Sequence, residues 1–185
     1  AAETCNNSKP SVNSTEGVLY AEIAALASDS TAKELTLSDG TTANRVVLSL
    51  NASNQLRADY TASSSLQARI QDTTTNIENY NKLALKFKVN DFELYVNGSS
   101  AGTDTSGSVI SAGTLTTLNF DNGAGSFDFY GKVKGLAVYN EALSESQLMQ
   151  LTGVTASSIY NNFVTRTASF TVEALNEVKK VIDNL

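Results

Sequence analysis

The stretch that decides the fold runs from Lys82 to Gly98: KLALKFKV (Lys82–Val89), then Asn90, then DFELYVNG (Asp91–Gly98). In the first run Leu83, Leu85 and Phe87 alternate with Lys82, Ala84, Lys86 and Lys88. In the second, Phe92, Leu94 and Val96 alternate with Glu93, Tyr95 and Asn97. Side chains repeat every two residues along a strand but about every 3.6 along a helix, so both runs read as strands with one face in a core. Val89-Asn90-Asp91 between them reads as a tight hairpin, and Asn97-Gly98 closes the second strand with a turn signal. Lys82, Lys86 and Lys88 read as a basic face for an acidic polysaccharide or, in the simpler reading, as a solvated strand face or guards of an exposed edge.

The same period continues outward in both directions. Strands are predicted over residues 17–26 (GVLYAEIAAL), 34–40, 44–50, 55–60, 65–71, 114–121 and 129–140, separated by clusters of Ser, Thr, Asn, Asp and Gly. Many short strands with such punctuation predict an all-β, antiparallel two-sheet β-sandwich over residues 15–152. Two patches break the period. In EALSESQLMQLTG, Ser144 followed three residues later by Gln147 matches a capping box, Leu148 and Leu151 supply an apolar face, and Gly153 is a terminator. In the tail, Thr171, Leu175, Val178, Ile182 and Leu185 fall at alternating four- and three-residue steps, which predicts an amphipathic C-terminal helix after a linker, within residues 153–185. Residues 1–14, polar and holding the only Pro, read as a linker or arm.

Composition excludes several chemistries. The chain of 185 residues has 13 Lys+Arg against 19 Asp+Glu, a net charge of −6, with one Cys, no His and no Trp. Without His there is no Ser-His-Asp or Cys-His arrangement and no imidazole metal ligand. The lone Cys5 cannot form an internal disulfide. An acidic balance disfavours nucleic-acid and anionic-membrane partners, which need clustered Lys and Arg. No apolar run approaches the ~20 residues of a membrane span, so no membrane insertion is expected.

Three segments in order resemble a known family. FDFYGKVKGLAVYNEALSESQLMQL (Phe127–Leu151) is similar to the closing strand and short helix of concanavalin A-like, laminin G-like jelly-roll domains, with Gly131, Val133, Val138, Tyr139, Asn140, Ala142, Leu143 and Ser144 in register. LALKFKVNDFELYVNG resembles that family's hairpin. TEGVLYAEIAAL followed by LSDGTTANRVVLSL resembles the opening strands of versions found in bacteriophage tail and head fibre proteins. The resemblance implies a concanavalin A-like jelly roll with a lectin-like, carbohydrate-binding role on a virion surface, outside the cell. Symmetric trimers are the usual state of such fibres. The glucanases of the superfamily carry Glu-x-Asp-x-Glu on one strand, and no such spacing occurs here, so hydrolysis is disfavoured.

Candidate site residues follow from residue chemistry. Asp39, Asn44 and Arg45 lie around one loop, where a planar guanidinium beside an amide and a carboxylate suits a hydroxyl-rich ligand, although Asp39-Gly40 is equally turn chemistry. Tyr20, Tyr60, Tyr95, Tyr130 and Tyr139 are the aromatic rings available to stack on a sugar, with Tyr95 and Asp128 joining the predicted glycan-binding set. Asp121, Asn122 and Asp128 offer hard oxygens in a Gly-rich loop, a set for weak Ca²⁺ binding that reads equally as a hairpin turn. No other cofactor is expected. Three functions compete at this level: a non-catalytic fibre adhesion domain binding cell-surface or mucus glycan, a purely structural fibre module trimerised by the tail helix, and, last, a glycan hydrolase.

Overall fold

The computed structural model describes residues 12–153 and is an all-β sandwich closed by one short helix. Its strands are β1 (Gly17–Ala25), β2 (Lys33–Ser38), β3 (Arg45–Leu50), β4 (Leu56–Ala62), β5 (Ser65–Asp72), β6 (Asn81–Lys88), β7 (Asp91–Val96), β8 (Ser99–Asp104), β9 (Thr117–Asn119) and β10 (Gly131–Tyr139). The helix is α1 (Glu145–Thr152). One sheet has the order β10-β1-β6-β7-β8, the other β5-β4-β3-β2-β9, and neighbours pair antiparallel. The predicted C-terminal amphipathic helix lies outside the described residues.

The alternation read at Lys82–Gly98 is the alternation observed. Leu83 faces Val96, Leu85 faces Leu94 and Phe87 faces Phe92 across the β6–β7 hairpin, and all six are buried in the main core. Leu35, Leu37, Val46, Leu48, Leu50, Leu56, Ala58 and Tyr60 supply the opposing sheet. Each fully buried Leu, Ile or Phe contributes on the order of 1.5–3 kcal/mol of transfer free energy, which makes this inter-sheet layer the main source of stability. Gly17 is required by close approach: a Cβ there would sit 2.4 Å from the Tyr139 carbonyl oxygen and 2.9 Å from the Phe87 ring.

Three expectations change. Lys86 is not on a solvated face: it is 8% exposed, and its Nζ lies 2.7 Å from Asp91 Oδ1 and 3.4 Å from Glu93 Oε2. Its face is screened because α1 packs on the outside of the first sheet, burying Val18, Ala84, Tyr95 and Leu148 together. The capping box forms as read, with the Ser144 N–H donating to Gln147 Oε1 at 2.9 Å. The second change is β8, Ser99–Asp104, which no apolar alternation announces. The third is at the N-terminal boundary. Ser14, placed in the linker by sequence, is fully buried: its Oγ accepts the Leu115 N–H and its carbonyl accepts the Tyr60 hydroxyl.

Tyr60 ties these parts together. Its ring is tilted against Phe87 and Phe92, with centroids 5.4 and 5.1 Å away. Its hydroxyl donates to Ser14 O at 3.2 Å and accepts the Ile110 N–H at 2.9 Å. Burial pushes the hydroxyl pKa up to about 12, against the opposing hydrogen bond from Ile110.

Replacing Tyr60 by Phe keeps the ring but leaves a buried carbonyl and a buried N–H unpaired. The expected loss is about 1–3 kcal/mol, read as a lower urea midpoint with unchanged slope. The raised pKa sets a sign as well. The folded state keeps its phenol proton where the unfolded chain, with its ordinary value of 10.0, gives it up, so this contribution is intact below about pH 10 and is lost as pH rises toward 12. Unfolding titrations across that window are expected to fall more steeply for the parent chain than for Tyr60→Phe.

Candidate functional site

The loop between β2 and β3 is knitted to itself. Asp39 Oδ1 accepts the Thr41 N–H at 2.9 Å and its hydroxyl at 2.6 Å, while Oδ2 accepts Asn44 Nδ2 at 2.8 Å. Burial raises the Asp39 carboxyl, but those hydrogen bonds win and hold it below its ordinary value. Asn44 Oδ1 in turn accepts the Ser63 N–H. Of the predicted glycan-binding trio, Asp39 and Asn44 are therefore spent on turn geometry, the alternative read from Asp39-Gly40. Arg45 leaves the loop and lies on the outer face of the second sheet, its Nη1 donating to Glu34 Oε2 and to the Asn122 carbonyl, both at 3.1 Å.

Tyr95 is corrected outright. It is 4% exposed, sealed under α1 with Val18, Ala84 and Leu148, and presents no ring face to a sugar. Tyr60 is a core residue for the same physical reason, burial between the sheets.

One side-chain oxygen of each residue in the predicted Ca²⁺ loop already has a partner. Asp121 Oδ1 accepts the Gly123 N–H, and Asn122 Oδ1 accepts those of Ala124 and Ser126 at 2.9 and 3.1 Å. Asp128 Oδ2 accepts the Tyr130 hydroxyl at 3.2 Å. Among the described residues no group of three acidic, Cys or His side chains converges to hold a metal.

Asp128 stands instead at a cleft of about 430 Å³ at one end of the sandwich. Leu26, Ala32 and Tyr130 give it apolar walls; Asp29, Thr31, Lys33 and Asp128 give it polar groups. Tyr130 is 70% exposed, and Leu26 is exposed beside it. The cleft wall is fixed by backbone pairing: Phe129 N–H donates to Phe120 O at 2.8 Å and Glu34 N–H to Phe127 O at 3.0 Å. Phe127 takes a φ of 58° to make that turn, a region costly for a non-glycine residue. On the other wall Lys33 Nζ reaches Asp29 Oδ1 and Thr31 Oγ1, each at 2.6 Å, and the Lys33 hydrogen bond holds the Asp29 carboxyl well below the usual carboxylate range. Asp29 Oδ1 also accepts the N–H and hydroxyl of Thr31, so an exposed ring stands beside two partly engaged carboxylates, an arrangement able to stack on a sugar face and accept its hydroxyl protons.

A second cleft, about 460 Å³, lies along Gln71–Thr75 and Val96–Ala101. It offers no ring, and its one carboxylate, Asp72, is saturated by the N–H and hydroxyl groups of Thr74 and Thr75. We place the candidate site at the cleft holding Tyr130.

A family model described as the concanavalin A-like lectin/glucanases superfamily matches residues 21–149. The chain belongs to this superfamily. Several solved structures share its fold at low identity. The CBM40 of Ruminococcus gnavus IT-sialidase, bound to α2,3-sialyllactose, has a TM-score of 0.62 and 16% identity over 76% of this chain and 83% of that one. Domain 4 of AbnA, an extracellular GH43 arabinanase from Geobacillus stearothermophilus, in complex with arabinotriose, has a TM-score of 0.52 and 15% identity over 76% and 68%. The native heptameric SAP-like pentraxin of Limulus polyphemus has a TM-score of 0.53 and 15% identity over 79% and 76%. No curated protein matches the sequence.

Sequence reasoning named Tyr130 and Asp128 of this superfamily member's cleft but not Leu26, Asp29 or Lys33. It also missed Glu34, Arg57, Asp59 and Arg69, which join Arg45 on the outer face of the second sheet. The signal for these was present: Arg57-x-Asp59 puts two charges on one face of a strand. On that face burial pushes the Glu34 carboxyl up, against the pull of Arg45 and Arg57.

Because one side-chain oxygen each of Asp121, Asn122 and Asp128 already accepts N–H or O–H groups, the Asp121–Asp128 loop is expected to gain nothing from calcium. Melting temperatures in excess Ca²⁺ and in EDTA should agree within about 1 °C, and a rise in Ca²⁺ larger than that would restore the predicted site.

Proposed function

We propose that this chain is a non-catalytic glycan-binding domain whose sugar contact is the Tyr130 cleft. The observation that carries the reading is the exposed Tyr130 ring, hydrogen-bonded through its hydroxyl to Asp128 and facing a cleft lined by Asp29 and Leu26. A cleft of about 430 Å³ is within the usual size range for small-ligand sites. The solved relatives bound to sialyllactose and to arabinotriose lend the sandwich a precedent for holding sugars.

The non-catalytic part rests on chemistry. A glycosidase needs two carboxyl groups, one able to give a proton and one to attack or to activate water. In the cleft Asp29 is held by Lys33 and Thr31 and Asp128 by the Tyr130 hydroxyl, and on the sheet face the two buried acidic side chains, Glu34 and Asp59, are each gripped by arginines. The setting of a virion-surface fibre, with the chain trimerised through its C-terminal residues, is supported by the likeness of the opening strands to phage fibre proteins. Trivalency there turns weak single-site binding into usable avidity. A monomer by light scattering at high concentration overturns the trimer.

Tyr130→Ala removes the stacking ring without touching the core. Binding of neutral oligosaccharides, screened on a glycan array with the intact chain and measured by calorimetry on the best ligand, is expected to weaken about tenfold or more, a loss of about 1.4 kcal/mol. The variant should unfold at the parent temperature. Silence from the intact chain across the array overturns the reading in favour of a structural fibre module.

A further inference from the structure

We infer that the outer face of the second sheet is a separate site for a carboxylate carried on a sugar, docked on Arg57. The inference rests on the glycan-binding reading and adds a charge requirement at a place apart from the Tyr130 cleft.

Alternate residues of β2, β3, β4 and β5 build this face. The pairing sets Glu34 opposite Ser49 and Ser49 opposite Arg57, and Val47 opposite Asp59 and Asp59 opposite Arg69. A chain of charges of alternating sign results: Arg45, Glu34, Arg57, Asp59, Arg69. Its two carboxylates are each held by an outer arginine. Arg45 Nη1 donates to Glu34 Oε2, and Arg69 grips Asp59 with two bonds of 2.9 Å, Nε to Oδ1 and Nη2 to Oδ2.

Arg57 in the middle is held less well. Its Nη2 stays 3.6 Å from Glu34 Oε1, beyond hydrogen-bond reach. Its Nε lies 3.2 Å from Asp59 Oδ2 but out of line, so this buried N–H has no hydrogen-bond partner. Both carboxylates are already committed to the flanking arginines, and three guanidinium groups against two carboxylates leave one positive charge in excess. Three further buried polar atoms without partners lie in the same sheet: Arg45 Nε on β3, Thr36 Oγ1 on β2 and Asn119 Oδ1 on the adjoining β9, the last two on directly paired residues. Buried polar groups are nearly always hydrogen-bonded in folded proteins, and a cluster of exceptions on one face marks a place built for something else to bind. The layer remains reachable, since the Arg57 side chain is 20% exposed and that of Arg69 46%. A carboxylate is the planar, two-oxygen anion that matches a guanidinium fork.

The test uses the full chain with glucuronic acid and glucose as a matched pair, acetate as a bare carboxylate, and sulfate as a bare anion, followed by ligand-detected NMR or calorimetry. Glucuronic acid is expected to bind at least tenfold more tightly than glucose, with acetate and sulfate weaker than glucuronic acid. Arg57→Lys, which keeps the charge but loses the fork, is expected to remove at least tenfold of that preference while leaving the neutral-oligosaccharide binding that depends on Tyr130. Tyr130→Ala is expected to do the reverse, so loss of one activity does not disguise loss of the other. Arg57→Gln serves as a second variant, with its melting temperature reported alongside. Equal binding of glucuronic acid and glucose overturns the inference. So does an Arg57→Lys chain that keeps the full preference, or acetate and sulfate binding as tightly as glucuronic acid.

Discussion

The sandwich depends on one hydroxyl group. Two sheets can be held together by apolar contact alone, but the long connections that cross between them, although Ile110 and Leu115 anchor one of them in the core, also carry backbone polar groups that need direction-specific bonds. Tyr60 does this from the middle of β4. Its ring is part of the packed layer against Phe87 and Phe92, and its hydroxyl fastens Ser14 on one side and Ile110 on the other. Ser14 then holds Leu115 through its own hydroxyl. One buried group thus joins the entry to β1 and the crossing between β8 and β9 to the second sheet, beside the bonds of Thr116 to Ser38 and of Ser108 to Gln67.

With the core closed in this way, the two outer faces are free to differ. The first sheet is covered by α1, whose Leu148 packs on Val18, Ala84 and Tyr95, and whose end is stitched back by Thr152 Oγ1, which accepts the Gly98 N–H and donates to Leu148 O. Among the described residues no helix lies over the second sheet. Its face is a layer of paired charges lying on Val47, Thr36 and Ser49, all fully buried. The segment Phe120–Tyr130 belongs to both regions: Asn122 O reaches Arg45 on the charged face, and Asp128 and Tyr130 form the wall of the cleft.

What was legible in the sequence follows the same division. The period-two alternation reported the inward faces correctly because burial between the sheets acts on every second residue, and the helix at Glu145–Thr152 was legible because capping is local chemistry. Lys86 and Tyr95 were misread because their burial comes from outside the strand, from the approach of α1 and from Asp91 and Glu93. β8 was invisible because Ser-Ser-Ala-Gly-Thr-Asp has no apolar repeat; it is a strand only because β7 offers it an edge. Asp39, Asn44 and Asp121 had the residue types of a site, yet short polar side chains next to glycine bond to their own turn first. The Tyr130 cleft joins residues about a hundred positions apart in the chain, a juxtaposition that no spacing rule contains.

The charged face is a poor stabiliser, and that bears on why it exists. Taking charges out of water costs several kcal/mol per ion, and a pair repays this only with good geometry and satisfied hydrogen bonds. Arg69 with Asp59 meets that condition; Arg57, between two carboxylates already engaged, does not. The inner face, from Leu35 to Phe92, already supplies the cohesion of the sandwich. A structure that tolerates an under-satisfied arginine in a half-buried layer is arranged for an anion that arrives from solution rather than for its own stability.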